Sequence, residues 1–302
     1  QRDGALLIDS QGRITSHLTG LFNRTTKLLI HGIKPCFVFD GKAPEIKRRT
    51  WEIRKKVKQE AALKLKEATA IGDEQGMRKF ASRTAILNKE MIEDAKNVIR
   101  SLGLPIVQAP SEGEAQTAYM VKTGTAFASI SQDYDNLIFG CSRLVRNLSI
   151  AGKKKKVGQF AYQTVKPELI VLQEVLENLE LSRDQLIVLA ILAGTDYNPG
   201  GVHGIGPKKG LKLVKEFGDD FEKVFEQVKW EFDVSWKEIF DTIKHIPTTD
   251  DYALEWHPLD KEKLVEVLVK EHEFNEERVL MKIKKVVDAR GKGVQRGLGS
   301  YF

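Results

Sequence analysis

The period of the hydrophobic pattern changes repeatedly along the chain, and each change predicts an element. Apolar positions recur at helical spacing in SHLTGLFNRTTKLLIHG, after a polar opening that contains Asp and Gly. Ile33-Lys-Pro-Cys-Phe-Val-Phe then reads as a short buried strand ending at Asp40-Gly41. Residues 45–101 carry a helical pattern too rich in Lys, Arg and Glu for a core, broken near Ile71-Gly72-Asp73; this predicts two long helices joined by a short turn. Pro105-Ile-Val and Ala126-Phe-Ala-Ser-Ile predict two more strands, with a helix opening at Ser111 between them. A hairpin is expected from Arg143 to Ile150 and Gln159 to Val165, with Lys153 to Lys156 in its loop. Helical patterns dominate from Pro167 to Ala289, the Gly-rich end reads as unstructured, and there is no internal repeat. Strands alternating with helices predict an α/β fold with a central, mostly parallel sheet flanked by helices.

A chain of 302 residues with 41% hydrophobic content supports one large core, or one core with a smaller lobe. The net charge of +6 among 30% charged residues is modest, so a nucleic-acid partner is suggested rather than demanded. Cys36 and Cys141 have no paired spacing, which argues against a disulfide framework or a zinc knuckle and favours a reducing compartment. No apolar run approaches the roughly 18 residues of a membrane span, and no secretory signal opens the chain; a cytosolic or nuclear protein with no membrane partner is expected. The first residue is Gln1 rather than Met, so a preceding segment is expected.

The chemistry lies in the carboxylates. Asp40 directly follows a buried strand, where open α/β sheets bind ligands, although Asp-Gly is also an ordinary turn. Glu112 and Glu114 stand at a helix start, where Ser111 and Glu114 also fit a capping box. Asp133 and Asp135 follow a strand at a two-residue period, which would place both on one face. Two anions held together repel unless a cation lies between them. Asp196 follows the apolar helix Leu186–Gly194, where an acid opposes the helix dipole. Every donor is oxygen, with no His or Cys at ligand spacing, so the set suits Mg²⁺ or Mn²⁺ rather than Zn²⁺. Two such ions about 4 Å apart can activate water and steady both the attacking and leaving oxygens of a phosphodiester.

Four motifs, Val38-Phe-Asp-Gly-Lys-Ala-Pro44, Ala109-Pro-Ser-Glu-Gly-Glu-Ala-Gln116, Ser131-Gln-Asp-Tyr-Asp135 and Leu192-Ala-Gly-Thr-Asp-Tyr197, resemble those of archaeal and eukaryotic flap endonucleases, in order and spacing. The resemblance spans nearly the whole chain. It implies two Mg²⁺ ions held by Asp40, Glu112, Glu114, Asp133, Asp135 and Asp196, with Mn²⁺ as a substitute. It also implies cleavage of branched DNA where a 5′ flap leaves a duplex, a 5′-3′ exonuclease activity, and a place in Okazaki-fragment processing and repair. The family carries a further stretch before the point that matches Gln1, holding another metal-site Asp, the first strand and an aromatic residue that stacks on the substrate.

Lys47 and Arg54 stand two helical turns apart and would project from one face. The matching Lys and Arg of the family contact the scissile phosphate, as charge stabilisation requires; the bland alternative is a solvated basic face. From this region the family builds a helical arch that threads a 5′ single strand. Gly204-Ile-Gly-Pro-Lys-Lys-Gly-Leu211 opens a helix and resembles a helix-hairpin-helix, so Gly204, Gly206, Lys208 and Lys209 are candidate contacts to duplex backbone. In the family this element also holds K⁺ through carbonyl groups. Gln295-Arg-Gly-Leu298-Gly-Ser-Tyr301-Phe302 resembles the sliding-clamp peptide, with Leu298, Tyr301 and Phe302 as an apolar plug and Gln295 as a polar anchor.

The expected division is residues 1–58 and 76–218 for the nuclease, the latter including the helix-hairpin-helix DNA-binding lobe, 59–75 for the arch, 219–290 for a C-terminal helical region and 291–302 for the tail. A monomer, cytoplasmic in an archaeon and nuclear in a eukaryote, is expected. Two alternatives remain from the residues: a non-catalytic DNA-binding clamp adapter, and another nuclease of the superfamily, either a repair incision enzyme or a 5′ exonuclease. The short interval from Asp40 to Glu112 argues against the repair incision enzyme, which carries a long insertion there. Among the nucleases the terminal peptide favours the flap enzyme, while the hairpin and tail also suit the adapter.

Overall fold

A computed structural model describes residues 7–73, 75–77, 80, 87–148, 152–155 and 162–291. The clamp-peptide residues Gln295, Leu298, Tyr301 and Phe302, the lysine at Lys156 and the side chain of Arg54 lie outside the described set. The chain passes repeatedly between two compact units. One comprises Gln1–Phe37, Arg54–Val107 and Ala253–Phe302, and the other Val38–Ile53 and Gln108–Tyr252.

The first half contains α1 (Ser16–Ile30), β1 (Phe37–Phe39), α2 (Arg48–Ala70), α3 (Lys89–Ser101) and β2 (Ile106–Gln108). Helix α1 buries Leu18, Phe22, Leu28 and Leu29, the apolar stripe read from the sequence, and packs against α3. Helix α2 leaves Trp51, Ile53, Val57 and Leu63 exposed, and it ends in the expected turn at Ile71-Gly72. Strands β1 and β2 pair as a two-stranded sheet.

The second unit continues with α4 (Gly113–Lys122), β3 (Ser129–Ile130), α5 (Asp135–Ile138), β4 (Arg143–Arg146), β5 (Gly152–Lys155), β6 (Tyr162–Val165), β7 (Glu168–Val171), α6 (Leu172–Leu179), α7 (Arg183–Ala193), α8 (Pro207–Phe217), α9 (Phe221–Glu226) and α10 (Trp236–Lys244). Its core gathers Ala115 and Ala118 of α4 with Ile187, Val188, Ile191 and Leu192 of α7, Val214 of α8 and Ile239 and Ile243 of α10. Two C-terminal helices, α11 (Lys261–Val265) and α12 (Glu276–Gly291), return to the first unit, where α12 packs on α1.

The mixed α/β architecture is as expected, but its sheets are short and their pairing differs in two places. Strand β4 pairs in parallel with β3 and antiparallel with β7, and the hairpin is β5 with β6. Leu144 and Val145, on opposite faces, are both fully buried, and both edges of the strand are paired, so 143–146 is an inner strand rather than the outer arm of a hairpin. Lys153 to Lys155 are therefore in a strand rather than its loop. The helical stretch begins at Leu172 rather than Pro167, because Glu168–Val171 is drawn into the sheet by β4.

Candidate metal centre

Asp40 follows β1 where the chain presses against residues 109–111. A Cβ at Gly41 would lie 2.1 Å from the Ala109 carbonyl oxygen, so only glycine fits, and the Gly41 N–H donates to the Ser111 carbonyl at 2.6 Å. Asp-Gly is thus a close backbone approach. It brings Asp40 Oδ1 to accept the Gly113 N–H at 2.6 Å, in the first turn of α4.

Glu112 is the N-cap of α4, and its own side chain makes no capping hydrogen bond. The capping box read from Ser111 and Glu114 does not form; Glu114 Oε1 instead accepts from the Ser131 hydroxyl at 2.9 Å. Strand β3 stops at Ile130, so Asp133 and Asp135 share no strand face. A loop gathers them: the Asp133 N–H donates to Ser131 Oγ at 3.0 Å, and the Asp135 N–H to Asp133 Oδ1 at 3.1 Å. The outcome is a cluster in which Glu114, Asp133 and Asp135 each place a carboxylate oxygen within 4.8 Å of the others.

Asp196 comes from the turn after α7. Gly194 takes φ 112°, the Thr195 hydroxyl and N–H donate to Asn198 Oδ1 at 2.7 and 3.1 Å, and Asn198 Nδ2 donates to the Ile191 carbonyl at 2.7 Å. The Thr50 hydroxyl donates to the Asp196 carbonyl. Lys47 ends a 3-10 turn, Glu45–Lys47, rather than standing on α2. Its Nζ donates to Glu112 Oε2 at 2.6 Å and Asp196 Oδ2 at 3.2 Å, and lies 5.0 Å from the centre of the Tyr197 ring. The lysine is therefore a buried counter-ion of two candidate ligands rather than one of a pair on a solvated helix face.

Burial is the first cause that pushes Glu114 up to about 7, and repulsion from Asp133 and Asp135 adds to it against the Ser131 bond and Lys47. Asp135 is pushed up to about 6, again mainly by burial, then by Asp133 and Asp196. Burial alone would lower the Lys47 pKa, but Glu112 and Asp196 outweigh it and raise it. Among the described residues, Glu112 Oε1 is a buried oxygen with no hydrogen-bond partner. Crowded, desolvated oxygen donors with one oxygen unpartnered, and no His or Cys among them, fit a divalent cation.

These shifts give a stability signature. A carboxyl whose folded pKa lies above its unfolded value opposes folding in full above the folded pKa, and that opposition vanishes below the unfolded one. The windows run from about 7 down to the ordinary 4.5 for Glu114 and from about 6 to 3.8 for Asp135. In chelator-treated protein, lowering the pH from 8 to 6 is expected to raise the melting temperature relative to Glu114→Gln, and Mg²⁺ is expected to erase that difference. Parallel melting curves for the two proteins would reject the assignment.

The helix-hairpin-helix elements pack together: a Cβ at Gly210 would lie 2.9 Å from Leu189 Cδ1, so α8 sits close on α7. Gly206 is the N-cap of α8 with Pro207 in its first turn, Gly204 has φ +75°, and Gly204, Gly206, Lys208 and Lys209 are all exposed. Sequence reasoning assigned no role to Thr50, Ser131, Tyr197 or Asn198, which bond or bury the site groups; their partners are irregular turns or lie far off in the chain, so no periodicity marks them.

Residues 5–61 match the XPG N-terminal domain and residues 103–196 the XPG I-region. Across 302 residues the chain is 52% identical to flap endonuclease 1 of Pyrococcus abyssi, covering 100% of this chain and 87% of that protein. The chain belongs to the flap endonuclease 1 family. Flap endonuclease 1 of Staphylothermus marinus is 49% identical, over 100% of this chain and 87% of the relative. The solved flap endonuclease-1 of Methanococcus jannaschii superposes with a TM-score of 0.72 at 39% identity, over 97% of this chain and 88% of that one. The catalytic core of Rad2 in complex with DNA substrate shares the fold, with a TM-score of 0.67 at 22% identity over 93% and 87% of the two chains. Membership of the flap endonuclease 1 family places the chain among the nucleases of the XPG superfamily. Among the described residues no helix is long and apolar enough to cross a membrane.

Proposed function

We propose that this chain is a metal-dependent structure-specific endonuclease that hydrolyses DNA phosphodiesters where a 5′ single strand leaves a duplex, with 5′-3′ exonuclease activity, in replication and repair. The observation that carries this reading is the convergence of Glu114, Asp133 and Asp135 within 4.8 Å in a chain of the flap endonuclease 1 family. Asp40, Glu112 and Asp196 complete the ligand set. Two Mg²⁺ ions, replaceable by Mn²⁺, supply when bound the Lewis acidity that activates water and steadies both oxygens of the displacement.

The chain's own groups do the rest. Lys47, beside the acids, neutralises charge that develops on the phosphate, and Arg54 is its second cation. Gly204, Gly206, Lys208 and Lys209 grip duplex backbone without reading sequence, with K⁺ on the carbonyls of that hairpin. The nuclease occupies 1–58 and 76–218, the arch 59–75 and a helical region 219–290. In the tail at 291–302, Gln295, Leu298, Tyr301 and Phe302 dock on a sliding clamp. The protein acts as a monomer, in the cytoplasm of an archaeal cell or in the nucleus of a eukaryotic one.

The test is a comparison of cleavage rates with Mg²⁺. A 5′-flap duplex is expected to be cut faster than a bubble or a blunt duplex. Preference for the bubble or the blunt end would assign the chain to incision or exonuclease work, and tight binding without turnover would make it an adapter. Deletion of residues 295–302 is expected to abolish stimulation of cleavage by the clamp; stimulation that survives the deletion would remove the tail from the interface.

A further inference from the structure

Lysine is a flexible four-carbon stem ending in a compact charge, and holding its ammonium at one point requires supports on several sides. Among the described residues Lys47 has two hydrogen-bonding supports, Glu112 Oε2 and Asp196 Oδ2. Both belong to carboxylates proposed above as metal ligands, so a divalent cation competes with the ammonium for them. A third support does not compete. The Tyr197 ring lies 5.0 Å from Nζ, within the range of a cation–π contact, and is only 3% exposed.

That ring is rigidly held. The Tyr197 N–H donates to Thr195 Oγ1 at 3.1 Å, in the turn locked by Asn198, and the side chain is part of the apolar core that includes Ile191 and Leu192. Among the described residues its buried hydroxyl has no hydrogen-bond partner, while its ring face lies toward the Lys47 ammonium.

We propose that the buried ring of Tyr197 is the platform that fixes the Lys47 ammonium beside the acidic cluster, which makes Tyr197 a positioning residue for cleavage. Its effect on rate rests on the nuclease reading above; its effect on Lys47 does not. Tyr197→Leu is expected to slow single-turnover flap cleavage about tenfold, and Tyr197→Phe, which restores the ring, to recover most of that loss. In a Lys47→Ala background the Tyr197→Leu change is expected to cost no further rate, because nothing is left to support. A Phe variant as slow as the Leu variant, or a loss undiminished without Lys47, would overturn the platform and leave a packing role.

A readout independent of cleavage separates the two ideas. In isotope-labelled lysine spectra the Lys47 side chain, identified by its disappearance in Lys47→Ala, should show an upfield ring-current shift that persists in Tyr197→Phe and vanishes in Tyr197→Leu. If the wild-type protein cuts no flap but this shift behaves as described, the nuclease reading fails and the platform stands. An unshifted Lys47 in the wild-type protein ends the platform whatever the cleavage.

Discussion

Asparagine at position 135 is expected to lower 5′-flap cleavage at least about a hundredfold while making the metal-free protein more stable. The two effects have one cause. Asp135 is desolvated and repelled by Asp133 and Asp196, with a pKa pushed up to about 6, so its ionised form opposes folding until a cation relieves it. The amide keeps the shape, removes the charge and removes a ligand. Single-turnover rates with Mg²⁺ and melting curves in chelator measure the pair. Full activity in Asp135→Asn would exclude this carboxylate from the metal set, and a lower melting temperature without metal would show that repulsion is not what burdens the cluster.

Lys47→Ala is expected to act in the opposite direction on stability. Lys47 has 9% of its side chain exposed, and its partners Glu112 and Asp196 have 12% and 32%. Breaking a largely buried ion pair strands the remaining charge, a cost of about 3 kcal/mol, and here two carboxylates are stranded. Denaturant unfolding of metal-free protein should register that loss, with Mg²⁺ restoring part of it by replacing the missing positive charge. Cleavage should fall as well, about a hundredfold, and stay low at saturating Mg²⁺, because a metal ion does not replace the proposed phosphate contact. If saturating Mg²⁺ returns the full rate, Lys47 serves only as a counter-ion.

Residues whose signal is local were legible in the sequence. The α1 stripe, the break at Ile71-Gly72 and the strand before Asp40 follow from periodicity and turn chemistry. The acids themselves were visible because each lies near the start or the end of an element, but the reasons they meet were not. Ser111 and Glu114 satisfy the capping-box pattern, yet Ser131, seventeen residues from Glu114, takes the carboxylate instead. Asp133 and Asp135 have the spacing of a strand, but the strand has already stopped and an Asp-type turn joins them. Lys47 reads as the start of a basic helix, while the partners that define it are 65 and 149 positions away. The hairpin differs for a similar reason: Arg-Leu-Val-Arg reads as an edge strand, and only partners distant in the chain pair with both its edges.

Gly41 constrains any effort to redesign the enzyme. With a carbonyl oxygen 2.1 Å from where a methyl would sit, position 41 accepts hydrogen and nothing larger, and the neighbouring atoms are main chain, which cannot rotate away. A library meant to alter substrate choice by randomising the segment after β1 should therefore hold this codon fixed, since every other amino acid would pry the 109–111 segment from its neighbour and take Glu112 with it.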